Sequence, residues 1–309
     1  MSGIYIHIPF CKKACHYCNF HFSTNQNSKL SFIKAVCQEL KLRSYEYSTK
    51  EIQTIYFGGG TPTVLEVSEL SIILDVIDDI YNVSINPEVT LEANPDDLDS
   101  DTIIALSKTR INRLSIGIQS FHDSDLVSMN RAHDSEEAKQ CLKIAASYFD
   151  NITIDLMYGM PAMTVELWSH NLQTAFSFGV KHLSCYAMTV EPQTVLEHFI
   201  KKGCHPPMDD ELAAQHFKVL IEETSQQGLI HYETCSFGSP GYFSKHNTSY
   251  WLGKPYLGVG PSAHSFDGKK RSWNIANNSK YIKSIEASVL PSESEILSIE
   301  NRFNEYVMT

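Results

Sequence analysis

The chain has 309 residues, 42 % of them hydrophobic and 20 % charged, which is the composition of a folded globular protein. Its 36 acidic against 25 basic residues give a formal charge of −11, which disfavours duplex nucleic acid as a partner, because phosphate neutralisation needs Lys and Arg in excess. The eight cysteines are too few and too scattered for a disulfide framework, and no apolar run approaches the roughly 20 residues of a membrane span, so the expectation is a cytoplasmic protein with no signal peptide.

Ile4, Ile6 and Ile8 alternate with polar or aromatic residues, predicting a strand that Pro9 ends. Cys11, Cys15 and Cys18 follow in the spacing C-x-x-x-C-x-x-C. Three thiolates on a short loop can wrap one face of a 4Fe–4S cluster and leave one iron open to an outside ligand. Two other readings stay open on spacing alone. One is a zinc site completed by His16 or His21, and the other is cysteines packed as small hydrophobes. The single cysteines Cys37, Cys141, Cys185, Cys204 and Cys235 read as packing residues.

A helix is predicted over 28–47, with Phe32, Val36 and Leu40 on one face. A strand over 51–57 runs into Gly58-Gly59-Gly60-Thr61-Pro62, and a helix striped by Leu70, Ile73, Leu74 and Ile77 comes next. A strand over 88–93, the turn Asn94–Asp97, a helix over 99–109 and a strand over 113–118 ending at Gln119 follow. Two helical stretches come after it, the second opened by Asp134 and Glu137 in capping-box spacing. A strand over 151–157, a helix capped by Thr164 and a strand over 182–188 complete the alternation. It fades beyond Thr189. A helix over 208–228, an aromatic and Gly-rich stretch over 231–251, a short strand over 256–260 and a polar tail from Ser292 opening a helix remain.

Strand–helix units recurring every about 30–40 residues predict a parallel sheet with crossover helices. The expected fold is α/β, a partial (β/α)6 barrel related to the TIM barrel, over 1–190, with an α+β extension over 191–290. Chemistry in such barrels sits at the C-terminal strand ends. The cysteine loop, Gly58–Thr61, Glu92, Gln119, Asp155 and Tyr186–Ala187 all fall there. Taken residue by residue, the glycine run is also a plain tight turn. Arg131 could equally be a surface helix residue, with Glu92 or Asp155 as an ordinary ion-pair partner.

The cysteine spacing with Tyr17 before the last cysteine, together with Gly59-Gly60-Thr61-Pro62 after the second strand, resembles the radical S-adenosylmethionine (SAM) superfamily. Tyr5-Ile-His-Ile-Pro-Phe-Cys11 further resembles the subgroup holding oxygen-independent coproporphyrinogen III oxidase and the HemW-type heme chaperones. The resemblance runs from Gly3 to about Phe266. It implies that Cys11, Cys15 and Cys18 ligate a 4Fe–4S cluster. It also implies that Tyr5, Gly59, Gly60, Thr61, Glu92, Gln119, Arg131, Asp155 and Ala187 meet SAM, which such proteins cleave reductively to methionine and a 5′-deoxyadenosyl radical.

Phe20 stands where the oxidase pattern has a further cysteine, and His246-Asn-Thr-Ser-Tyr-Trp251 matches an H-N-x-x-Y-W motif linked to heme binding in the HemW-like branch. The implied heme ligand is His246 on a flexible aromatic loop, with Tyr250 and Trp251 stacking on the porphyrin. His7, His231 and His264 are candidate second ligands, and Lys245 or Arg271 candidate partners for the propionates. Without the resemblance, a loop His beside aromatics reads as a hydrogen-bonded structural residue.

The implied function is a heme chaperone serving heme-accepting proteins, membrane-bound respiratory enzymes among them, with flavodoxin or ferredoxin as electron donor and a peripheral membrane association open. The alternatives are the oxidative decarboxylase itself and a radical SAM methyltransferase or cyclisation enzyme. Relatives of this subgroup continue into a small helical domain; 291–309 would be its start, with 296–309 resembling its first helix cut short, and the expectation is a truncated chain.

Overall fold

A computed structural model describes residues 2–46 and 50–308. The first half alternates as expected. In order come β1 (Ser2–Ile8), α1 (Lys29–Leu42), β2 (Ile52–Gly59), α2 (Val67–Ile80), β3 (Val83–Ala93), α3 (Ser100–Leu106) and β4 (Arg113–Gln119). They are followed by α4 (Asp123–Ser128), α5 (Ser135–Tyr148), β5 (Ile152–Tyr158), α6 (Val165–Ser177) and β6 (His182–Ala187). Strands β1 to β6 lie side by side in chain order, all parallel. This is the partial, open (β/α)6 barrel that the sequence predicts.

The helices form where caps and stripes say they should. Asp134 accepts from the N–H groups of Glu136 and Glu137, while Glu137 accepts from the N–H of Asp134, closing the capping box of α5. The stripe Phe32, Val36 and Leu40 of α1 is buried. Helix α1 ends at Leu42, short of the expected 47, and Tyr47 lies outside the described residues.

Strand alternation sorts the barrel into two faces. Ile4, Ile6, Ile8, Ile55, Phe57, Leu91, Ile116 and Ile154 form an apolar row in the core. The intervening positions carry hydroxyls, carboxylates and rings that bond to one another inside the barrel. Examples are Tyr56 to Glu92, Ser115 to Asp155 and Thr153 to His182. The interior is therefore polar and suited to a polar ligand, while the outer row drives folding by burial under the helices.

Past residue 190 come α7 (Val195–Lys201), α8 (Asp210–Gln226), β7 (Ile230–Glu233), β8 (Ser236–Gly238), α9 (Lys245–Trp251), β9 (Tyr256–Val259), β10 (His264–Phe266), β11 (Lys270–Asn274), α10 (Asn278–Glu286), β12 (Ser292–Ile296) and α11 (Ile299–Met308). These strands extend the barrel sheet at both edges, in the order β12-β11-β10-β9-β1 on one side and β6-β8-β7 on the other. Buried Glu39 of α1 fastens the first edge, accepting from Gly260 N–H, Asn274 Nδ2 and the Tyr281 hydroxyl.

Two expectations are corrected here. The tail from Ser292 begins as a strand, because Ser292–Ile296 pairs antiparallel along β11 and sets Glu295 opposite Arg271 as an ion pair; the helix starts only at Ile299. His246 sits on a capped helix, not on a flexible loop. The Ser244 side chain accepts from Asn247 N–H, and the Glu88 carboxylate accepts from the N–H groups of Lys245 and His246. Among the described residues no helix is long and apolar enough to cross a membrane.

Candidate cofactor site at the strand ends

The cysteine loop leaves β1 at Pro9 and is tied down on both sides. Cys11 and Ser23 close its base through backbone bonds, Cys11 N–H to Ser23 O and Ser23 N–H to Pro9 O. The segment after α4 clamps its tip. His16 N–H donates to Met129 O, Asn130 Nδ2 to Ala14 O at 2.7 Å, and Lys13 Nζ to Arg131 O at 3.0 Å. Asn130 takes a left-handed φ of 59°, which turns the chain so that Arg131 faces the loop.

Arg131 then reaches three elements at once. Its Nη1 lies 3.4 Å from Cys15 Sγ, and its Nη2 donates to Asn94 Oδ1 at 2.6 Å and Gly117 O at 2.7 Å. It stands half-buried in the cavity wall, and its fork goes to Cys15, Asn94 and Gly117 and not into an ion pair with Glu92 or Asp155. Thr61 gives its hydroxyl to Cys11 Sγ at 3.5 Å and takes Asn94 Nδ2 at 3.1 Å. Two of the three sulfurs thus carry hydrogen-bond donors, the surroundings that stabilise cluster thiolates. Burial raises the thiols of Cys11, to about 11, and Cys18, so their deprotonation awaits a metal.

Cys11, Cys15 and Cys18 open onto one cavity of about 870 Å³. Among the described residues no three His, Cys, Asp or Glu side chains converge on a single metal ion. His16 Nδ1 lies on Ser128 O and His21 Nε2 on Asn278 Oδ1, which occupies one nitrogen of each ring. Three sulfurs lining one cavity without converging on a point fit a polynuclear cluster better than a mononuclear zinc site.

The same cavity is walled by Gly59, Gly60, Thr61, Glu92, Gln119, Arg131, Asp155 and Ala187, which the sequence placed at strand ends. The glycine run has a steric reason. A Cβ at Gly60 would stand 2.5 Å from Phe10 O, so only glycine lets this turn lie against the cysteine loop. Gln119 has a φ of 67° and follows a register shift in β4, which re-aims the strand end toward the cavity. Glu92 accepts from the Tyr56 hydroxyl at 2.8 Å and Gly59 N–H at 3.2 Å. Burial raises its carboxyl nonetheless. Asp155 is raised to about 7 by burial and by the neighbouring Glu92.

A second cavity of about 430 Å³ adjoins the first. Phe20, Gly59, Glu92, Tyr186 and Cys235 line both, and His246, Tyr250 and Trp251 line the second alone. Tyr5 belongs to this second cavity, its ring stacked on Tyr56 with centroids 6.0 Å apart. His246 is buried, its Nδ1 2.8 Å from Thr54 Oγ1 and its Nε2 2.8 Å from the Tyr250 hydroxyl. Burial, with Arg113 nearby, lowers its imidazole to about 3, so the ring is neutral.

His7, His231 and His264 do not line the second cavity, nor do Lys245 and Arg271. Arg271 is engaged with Glu295 and Glu305. The cavities also hold Asn94 and Ser115, which sequence reasoning does not single out as site residues, and Cys235, which by sequence reads as a packing residue; Tyr186, flagged at its strand end, lines both. Period-two alternation back from Gln119 would have marked Gly117 and Ser115 as facing the same side.

An open β/α sheet with three loop cysteines and a glycine turn at its strand ends defines a class, and the Radical SAM superfamily model matches residues 5–174. The heme chaperone HemW of Bacillus subtilis is 34% identical over 296 residues, spanning 94% of this chain and 78% of that protein. The heme chaperone HemW of Escherichia coli is 32% identical over 267 residues, covering 85% of this chain and 69% of its own length. The chain belongs to the radical SAM superfamily and, within it, to the HemW family. Its fold matches the solved coproporphyrinogen III oxidase (HemN) of Escherichia coli with a TM-score of 0.86, over 99% of this chain and 74% of that one, at 22% identity.

Proposed function

We propose that this protein holds a 4Fe–4S cluster and SAM in the first cavity, binds heme against His246 in the second, and passes that heme to acceptor proteins. The observation that carries this reading is the shared wall: the three-cysteine cavity and the His246 cavity meet at Phe20, Gly59, Glu92, Tyr186 and Cys235. The relatives named heme chaperone support it.

Cys11, Cys15 and Cys18 would hold the cluster, with Arg131 and Thr61 donating to two of its thiolates. Glu92, Gln119, Asp155, Ala187 and the Gly59–Thr61 turn would bind and orient SAM, and Tyr5 would support that wall from behind through Tyr56. When bound, cluster and SAM supply one-electron chemistry, with a carrier such as flavodoxin or ferredoxin as the electron source. In the second cavity the chain offers an imidazole and aromatic surfaces. Phe20 is 68% exposed, and Tyr186 and Trp251 are also open to solvent at the rim, an arrangement suited to covering a flat apolar ring. Phe20 in place of the further cysteine of the oxidase pattern speaks against porphyrinogen decarboxylation.

Anaerobic reconstitution followed by hemin titration tests the proposal. The wild-type protein should bind hemin with a His-ligated spectrum that His246→Ala loses. Release of CO₂ from coproporphyrinogen III by the native protein would overturn the chaperone reading.

A further inference from the structure

Both nitrogens of the His246 ring are already taken, yet an axial ligand must present a free nitrogen to iron. The two partners differ in freedom. Thr54 is fully buried in β2 and held by the sheet. Tyr250 lies one turn further along α9, with its hydroxyl inside on His246 and the residue 36% exposed.

The imidazole itself has nowhere to go. Its backbone N–H is held by Glu88 and its carbonyl by Ser249 Oγ at 2.6 Å. Its ring is stacked against Tyr56 with centroids 5.1 Å apart. On the sheet side it packs so tightly that a Cβ at Gly3 would stand 2.9 Å from its Cε1.

We infer that the Tyr250 hydroxyl is a latch on His246: it occupies Nε2, and it must swing away before that nitrogen can bind iron. The inference rests on the assignment of His246 as heme ligand made above. With Nδ1–H donating to Thr54, Nε2 keeps the lone pair that the Tyr250 hydroxyl caps. Rotation of the Tyr250 side chain exposes that lone pair to the second cavity, which both residues line, without moving the backbone. Thr54 then has the opposite role. It positions the ring and holds the tautomer that iron requires.

The two hydroxyls therefore predict effects of opposite sign. Tyr250→Phe removes one net hydrogen bond from the unligated state only, so hemin should bind about 2- to 10-fold tighter. Thr54→Val frees Nδ1 and should weaken binding by a similar factor, with a less uniform low-spin spectrum. A merely structural pair would weaken binding in both variants. Unchanged or weaker binding by Tyr250→Phe, with His246→Ala having lost the ligated spectrum, overturns the latch. Full retention of that spectrum in His246→Ala overturns the ligand assignment instead, and the two failures are told apart by that one variant. Stopped-flow mixing of hemin with the wild-type protein tests the latch without any substitution. A ligation rate that saturates with hemin concentration supports it, and a rate linear in hemin up to the highest concentration opposes it.

Discussion

The hydroxyl of Tyr56 donates to Glu92 Oε1 at 2.8 Å, and this bond crosses the wall between the two cavities. The other face of Tyr56 carries the His246 ring, so one β2 residue braces a carboxylate facing the first cavity and the imidazole facing the second. Tyr56→Phe keeps the stack and deletes the bond. A hydrogen bond to a buried carboxylate contributes about 1.5–3 kcal/mol, so the unfolding free energy from urea melts should fall by that amount. Calorimetric titration of the reconstituted protein should also show weaker SAM binding, because Glu92 loses one of its two anchors. Unchanged SAM affinity would mean that Glu92 does not meet SAM or does not need Tyr56 to do so.

Asp155 sets a pH dependence with a defined sign. Its carboxyl is raised from the ordinary 3.8 to about 7 by burial and by Glu92. Between those values the folded protein holds a proton that the unfolded chain has released. Asp155 therefore makes the cofactor-free protein less stable as pH rises from about 4 to about 7, with no further change above. Asp155→Asn removes that contribution. The stability difference, variant minus wild type, should grow in favour of the variant between pH 4.5 and pH 8, by at most about 4 kcal/mol for a shift of about three units. Urea melts at several pH values measure it, and a flat difference would show that Asp155 titrates normally.

Arg131 is the rivet of the cysteine loop. Arg131→Met leaves Asn94 Oδ1 and the Gly117 carbonyl without their donor in a half-buried setting. The expected cost is about 2–4 kcal/mol. Because the guanidinium also reaches Cys15 Sγ, iron bound after anaerobic reconstitution should fall well below that of the wild type. Arg131→Lys keeps the charge but loses the planar fork, and should recover only part of the iron. Full iron content in both variants would show that the loop is set by its backbone bonds alone.

How far the sequence exposes this site follows from what holds each part together. The six parallel strands are legible because each carries an apolar row, such as Ile4, Ile6 and Ile8, between polar residues, and each crossover helix a buried stripe at helical spacing. The cluster loop and glycine turn are legible because chemistry restricts the residue types. The edge strands are not. Ser292–Ile296 is polar and exposed, and it is a strand only because β11 offers backbone and a cation opposite Glu295. Helix α9 is hidden for a similar reason, since its start depends on Glu88, more than a hundred positions earlier. Nothing local marks the left-handed Gln119, or Arg113, which is buried at the start of β4 amid inward-facing polar side chains. Tyr5 shows the limit of motif reading: its place in the pattern points to SAM, and its ring lines the neighbouring cavity.

Gly3 offers the cleanest separation of the two cavities. A Cβ there would fall 2.6 Å from Thr54 Oγ1 and 2.9 Å from His246 Cε1, distances that force the imidazole off its seat. Gly3→Ala leaves every cysteine, the glycine turn and the Arg131 contacts untouched. Overpacking of this kind costs about 1–3 kcal/mol, which a barrel with this extent of buried core should survive. The reconstituted variant should therefore keep its iron and its SAM affinity while hemin affinity drops by at least tenfold. Iron quantitation beside a hemin titration measures both on one sample. Hemin binding equal to that of the wild type would mean that the seat of His246, as Gly3 and Thr54 define it, is not where heme is held; loss of iron along with hemin would mean that the two cavities do not fail independently.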